Sequence, residues 1–116
     1  MKGLIIKESW GRLILDGKKT IELRGCPVKH RGTIGLIFSG TKKVFGTVDI
    51  VDCILLDKES YNTNKKRHMY PYSFEDISYK KTYGWILENP VIFDSPKKYN
   101  HKLGCVIWVN LDESDI

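Results

Sequence analysis

The chain has 116 residues, 41% of them apolar, and a formal charge of +5. That length fits a single domain over 1–116 whose core needs no disulfide or metal, the apolar fraction excludes a disordered chain, and no apolar run approaches the ~20 residues that cross a bilayer. The charge is uneven: residues 1–46 carry ten Lys and Arg against three acids, a balance of +7, while residues 47–116 carry nine against eleven; such a basic half suits a polyanionic partner such as RNA, and simple solubility accounts for it as well.

Gly3 to Ile6 reads as a short strand. In the next stretch Trp10, Leu13, Ile14 and Gly17 fall at i, i+3, i+4 and i+7, which predicts a helix over 8–17 with Ser9 as N-cap and Gly17 as the left-handed residue that ends it. Gly11 inside that helix costs about 1 kcal/mol against alanine, and marks either a close backbone approach or a frayed first turn. Thr20 to Arg24 is the next strand, with Thr20, Glu22 and Arg24 on one face and Ile21 and Leu23 on the other.

After the loop CPVKHRG comes a strongly apolar strand, Thr33 to Ser39, and then one long strand, Val44 to Leu56, bent or bulged at Gly46. Residues 57–81 change character: they are polar, basic and tyrosine-rich, with room for one or two short helices and a helical pair at Phe74 and Ile77. A strand follows over Gly84 to Phe93, broken at Asn89-Pro90; DSPKKYNHKLG is a loop; Cys105 to Leu111 closes the sheet, and the last five residues form a frayed acidic tail. The order β-α-β-β-β-(α or loop)-β-β predicts an α+β fold: a small, mixed, mostly antiparallel barrel of five to six strands flanked by one or more helices.

The first ten residues hold a four-residue apolar patch, too short for a signal-peptide core, so the expected location is cytoplasmic. Cys26, Cys53 and Cys105 form no C-x-x-C pair, and an odd count argues against a disulfide framework. Cys26 and His30 have no second pair to complete a metal site, so neither a metal nor any other cofactor is expected.

The stretch DGKKTIELRG contains G-x-K-x-x-E-x-R: Gly17, Lys19, Glu22 and Arg24. A lysine fixed between a helix end and a strand start, among apolar walls, loses hydration; it then serves as a base or nucleophile, or, if it stays charged, as an anion ligand. Arg24 offers a planar fork to a phosphate or a base edge, and Glu22 either accepts from an exocyclic amine or holds the two cations. The alternative is an exposed, salt-linked strand face of little energetic weight. This motif resembles the signature of the ASCH family, within the PUA-like superfamily. KESWGRLILDGKKTIELR is similar to the family's opening, VFGTVDIVDC to its central strand, and YGWILENPVIFDSPKKYNHKLGCVIW to its closing section, while residues 57–82 have no clear counterpart.

The resemblance implies a PUA-like barrel and, as the leading expectation, an RNA- or nucleotide-binding module acting in RNA metabolism or in regulating translation or transcription. Its cleft would be lined by Lys19, Glu22, Arg24 and Glu88, with Trp10, Ser39, Asn89 and Tyr99 as further nucleic-acid contacts. The resemblance also implies a hydrolase alternative. Some relatives are amidohydrolases acting on acetylated cytidine through a lysine, a threonine and a glutamate, and others cleave RNA; here Lys19, Glu22 and Glu88 would be the catalytic set. Glu22 stands where the amidohydrolase pattern has its threonine, and Thr20 lies two residues earlier. A protein-interaction module without nucleic acid is the third expectation. Among the aromatics, Trp10, on the motif helix, is the first choice for stacking a base, with Tyr83, Trp85, Tyr99 and Trp108 divided between stacking and core. The basic, tyrosine-rich segment with Tyr61, Lys65, Lys66, Arg67, His68, Tyr70 and Tyr72 is either a nucleic-acid contact surface or a solvated loop.

Overall fold

The apolar runs pair into one six-stranded sheet with the order β2-β5-β4-β3-β1-β6. The structure, a computed structural model, describes residues 1–112. The strands are β1 (Lys2–Ile6), β2 (Ile21–Arg24), β3 (Gly32–Phe38), β4 (Lys43–Leu56), β5 (Thr82–Lys98) and β6 (Trp108–Asn110). Only β1 and β3 run parallel; every other neighbouring pair is antiparallel, the mixed and mostly antiparallel sheet that the short connections imply. The hydrogen-bonded ladder ends at β2 and β6, but the sheet curls so far that its ends approach through side chains: Trp85 on β5 stacks on Trp108 of β6 with centroids 5.8 Å apart. Leu4, Ile34, Leu36, Ile50 and Trp85 fill the interior.

Helix α1 (Glu8–Leu15) lies across β3, β4 and β5. Its start differs from the expectation. Lys7, not Ser9, occupies the N-cap and makes no side-chain cap, while Glu8 is acidic at the positive helix end and bonds Arg12 one turn later at 2.7 Å. Gly11 is buried, and a Cβ there would collide with the Phe38 ring, so close approach and not fraying explains it.

The bulge expected at Gly46 is present as a register shift between Val44 and Gly46. The break expected at Asn89-Pro90 is not. Asn89 takes a left-handed φ of 54° and its amide bonds Asp49 at 3.0 Å, so the strand absorbs the proline within a bulge and continues to Lys98, opposite Lys43 of the long β4. At the other end β6 is shorter than expected, three residues instead of seven. Most of the acidic tail lies outside the described residues. Residues 57–81 fold into α2 (Lys58–Thr63), α3 (Lys65–His68) and a single 3-10 turn at Phe74–Asp76. Asp57 caps α2 reciprocally with Ser60. No helix among the described residues is long and apolar enough to cross a membrane.

Candidate functional site

Helix α1 ends as the glycine predicts. Gly17 has φ 78°, its N–H bonds the Ile14 carbonyl, and the N–H groups of Lys18 and Lys19 both reach the Leu13 carbonyl at 3.0 Å. This Schellman-like closure fixes the direction in which the chain leaves the helix, and with it the Cα of Lys19. Two residues later β2 begins, pairing Ile21 with Ile86 and Arg24 with Tyr83. Ile21 points into the core and is fully buried; Glu22, on the opposite face, is buried too, because α3 and the residues after it cover that face. The Thr20 N–H donates to the Arg67 carbonyl at 2.9 Å, tying the covering segment to the motif strand.

Lys19 is only 3% exposed. Its ammonium donates to the His68 carbonyl at 2.5 Å, stands 3.6 Å from Glu22 Oε1, and lies 4.9 Å from the centre of the Trp10 ring. The other carboxylate oxygen, Glu22 Oε2, accepts from Arg24 Nε at 2.9 Å. Burial pushes the Lys19 pKa below its ordinary value of 10.5; the Glu22 carboxylate opposes that shift and the Arg24 charge adds to it. Glu22 thus sits between two cations, and with both charged the triad carries one net positive charge, displayed by Arg24. That side chain is 20% exposed and its guanidinium lies 5.5 Å from the Trp85 ring.

The support behind Lys19 is a backbone oxygen. The imidazole of His68 is wholly buried and stacked on Tyr61 at 4.3 Å. Its Nδ1 accepts from the Tyr70 N–H at 3.0 Å, which leaves Nε2–H to donate to the Tyr61 carbonyl at 2.9 Å. Both ring nitrogens are therefore satisfied by a neutral histidine. Burial lowers its pKa, and the charges of Lys19 and Lys65 lower it further, against the Tyr61 hydrogen bond. Met69 follows in a left-handed turn, φ 60°, that ends α3.

These groups wall a cavity of about 360 Å³, within the range of small-ligand sites. Trp10, Lys19, Glu22, Arg24 and Ser39 all line it, together with Ile5, Tyr70 and Tyr79. The Trp10 and Tyr70 rings stand 5.9 Å apart on one side of it. Of the other expected cleft residues, Glu88 is exposed and lines a second depression with Thr20, Asn89 and Pro90, which Lys19 also borders. Asn89 is spent on Asp49. Tyr99 is buried among Ile37, Val44 and Val109, with its hydroxyl on His101. None of these three reaches the cavity. Trp85 is core, its Nε1–H donating to the Cys26 carbonyl. His68, Tyr70 and Tyr79 were not singled out as cleft residues by the sequence; the clustering of histidine and tyrosine in a basic segment was their one visible signal.

The sequence model of the ASCH domain family matches residues 4–97. The chain belongs to the ASCH family. Among solved structures, this ASCH domain is similar to "ASCH from Zymomonas mobilis", with a TM-score of 0.76 at 15% identity over 98% of this chain and 89% of that one. It is also similar to two single-residue variants of that same Zymomonas mobilis protein. One, a serine-to-alanine variant, gives a TM-score of 0.74 and 14% identity over 98% and 89% of the two chains. The other, a tyrosine-to-phenylalanine variant, gives 0.64 and 19% over 84% and 74%. No curated protein sequence matches the chain. At these identities the structural likeness establishes the fold that this ASCH domain shares with those proteins and leaves its chemistry to its own residues.

Proposed function

We propose that this ASCH domain binds RNA, taking one nucleotide into the cavity between α1, β2 and residues 69–79. The observation that carries the reading is Arg24. It is the outward-facing cation of an otherwise buried triad, its Nε is fixed by Glu22, and no described residue takes its two terminal nitrogens. A phosphate fits that fork. Trp10 and Tyr70 provide faces for a base, and Lys7 adds a second cation at the rim. Service in RNA metabolism or in regulating translation or transcription, in the cytoplasm, accords with this reading.

A hydrolase is the second reading, and the environment of Lys19 favours it. An amine with a depressed pKa, 3.6 Å from a buried carboxylate, is equipped to move a proton or to stabilise a developing negative charge. The two readings separate in one assay. The protein and its Lys19→Ala variant are incubated with acetylcytidine and with short labelled RNA. Turnover that disappears in the variant establishes the hydrolase; RNA binding without turnover supports the binding module; a folded protein that does neither contradicts both and leaves a protein-interaction role.

A further inference from the structure

The cavity has a neighbour. A shallow depression between the end of β4 and residues 74–82 shares one wall with it, made by Ile77 and Tyr79. Tyr79 stands on the ridge between the two. One side of its ring is pressed against the backbone of Gly25, where a Cβ would fall 2.7 Å from Cδ1, so glycine directly after Arg24 lets the ring lie there. The residue is nevertheless 46% exposed, a large allowance for an aromatic side chain held so closely.

The depression beyond the ridge is basic once its ion pairs are resolved. Lys58 is paired with Glu75 at 2.7 Å, and Asp57 caps α2 through the Ser60 N–H while keeping its negative charge, which leaves the lining with a balance of one positive charge. Lys80 and Lys81 remain, both exposed, with no acidic partner among the described residues. The order from β2 across the ridge is therefore a guanidinium with free donors, an open aromatic ring and two ammonium groups that no ion pair engages, set against the one carboxylate of Asp57. Alternation of cations with an exposed ring is the arrangement that follows a single-stranded polynucleotide, in which bases stack and phosphates are neutralised in turn. A free nucleoside or mononucleotide would use the cavity alone and leave this second half without purpose.

Building on the binding reading above, we infer that Tyr79 is a stacking platform for a second base and that Lys80 and Lys81 hold the adjoining phosphates, so that the ligand is a single-stranded RNA of at least two nucleotides. The 57–81 segment thus contributes a subsite as well as the wall that supports Lys19.

Fluorescence anisotropy tests this with a mononucleotide, a dinucleotide and a hexanucleotide of single-stranded RNA, against the wild type, Tyr79→Ala, Tyr79→Phe and the Lys80→Gln/Lys81→Gln double variant. Circular dichroism confirms folding, which substitution of these exposed side chains leaves intact. The hexanucleotide binds at least about tenfold more tightly than the mononucleotide. Tyr79→Ala removes about ten- to a hundredfold of hexanucleotide affinity and, because the ring also walls the cavity, a smaller part of mononucleotide affinity, whereas the lysine double variant, outside the cavity, leaves mononucleotide binding within about twofold; Tyr79→Phe keeps both, since the face and not the hydroxyl does the stacking. The lysine double variant lowers the slope of log K against log salt by about 1.4, two phosphates at ~0.7 each. Equal binding of mononucleotide and hexanucleotide, or indifference to Tyr79→Ala, overturns the second subsite while the cavity reading stands. Binding of neither RNA overturns the cavity reading, and the inference falls with it.

Discussion

At the scale of single residues, the site is organised around a charged amine kept away from water. Lys19 remains in place because a carboxylate, a carbonyl and an aromatic face replace its hydration. Removing it leaves Glu22 buried with one cation and the His68 carbonyl without its donor, so Lys19→Ala is expected to cost about 3 kcal/mol in urea unfolding. The depressed pKa adds a second signature. Between its lowered value and the ordinary 10.5, the unfolded chain still holds a proton that the folded chain has released. Stability therefore rises with pH through that window, and a Lys19→Met variant, followed by urea unfolding from neutral to alkaline pH, lacks the rise. His68 works in the same sense at lower pH. Below about 6.5 the unfolded histidine takes a proton that the folded one refuses, because burial disfavours the charged ring and Lys19 and Lys65 stand nearby. Stability falls as pH drops from 6.5 towards the lowered value, and His68→Gln removes that part of the fall.

At the scale of elements, α1 can approach the sheet because Gly11 has no side chain facing Phe38. Gly11→Ala gains up to about 1 kcal/mol of helix propensity and loses about 1–3 by overpacking, so a net destabilisation of about 1 kcal/mol is expected from the urea midpoint. The half of the site carried by α1 and β2 was legible in the sequence, since Gly17, Lys19, Glu22 and Arg24 are placed by a helix end and a strand start, both local events. The half carried by residues 64–79 was not. Lys19 meets a backbone carbonyl 49 residues away, and a carbonyl leaves no trace in a residue's identity. Glu88 stands apart from the Arg24 cavity for a related reason: the break expected at Asn89-Pro90 does not occur, and the long pairing of β4 with β5 carries the strand through and leaves Glu88 exposed, in a depression that it shares with Lys19. Tyr99 went to the core because Ile37, Val44 and Val109 surround it, a matter of packing that alternation alone cannot settle.

For the whole molecule, the curl of the sheet and the uneven charge act together. The Trp85–Trp108 stack draws the two ends of the ladder towards each other, and Arg24 lies against Trp85 at that seam, so its cationic end opens into the cavity. Lys7, Lys19 and Arg24 against Glu22 leave the cavity lining with a positive balance, so a polyanion bound there would be held less tightly as salt rises. The most direct test is the salt dependence of binding to a single-stranded hexaribonucleotide, measured for wild type and Arg24→Ala. The account predicts linear weakening of log K with log salt for the wild type, and for Arg24→Ala a loss of about tenfold with a slope shallower by ~0.7. Binding that ignores salt, or an Arg24→Ala variant indistinguishable from wild type, would contradict it.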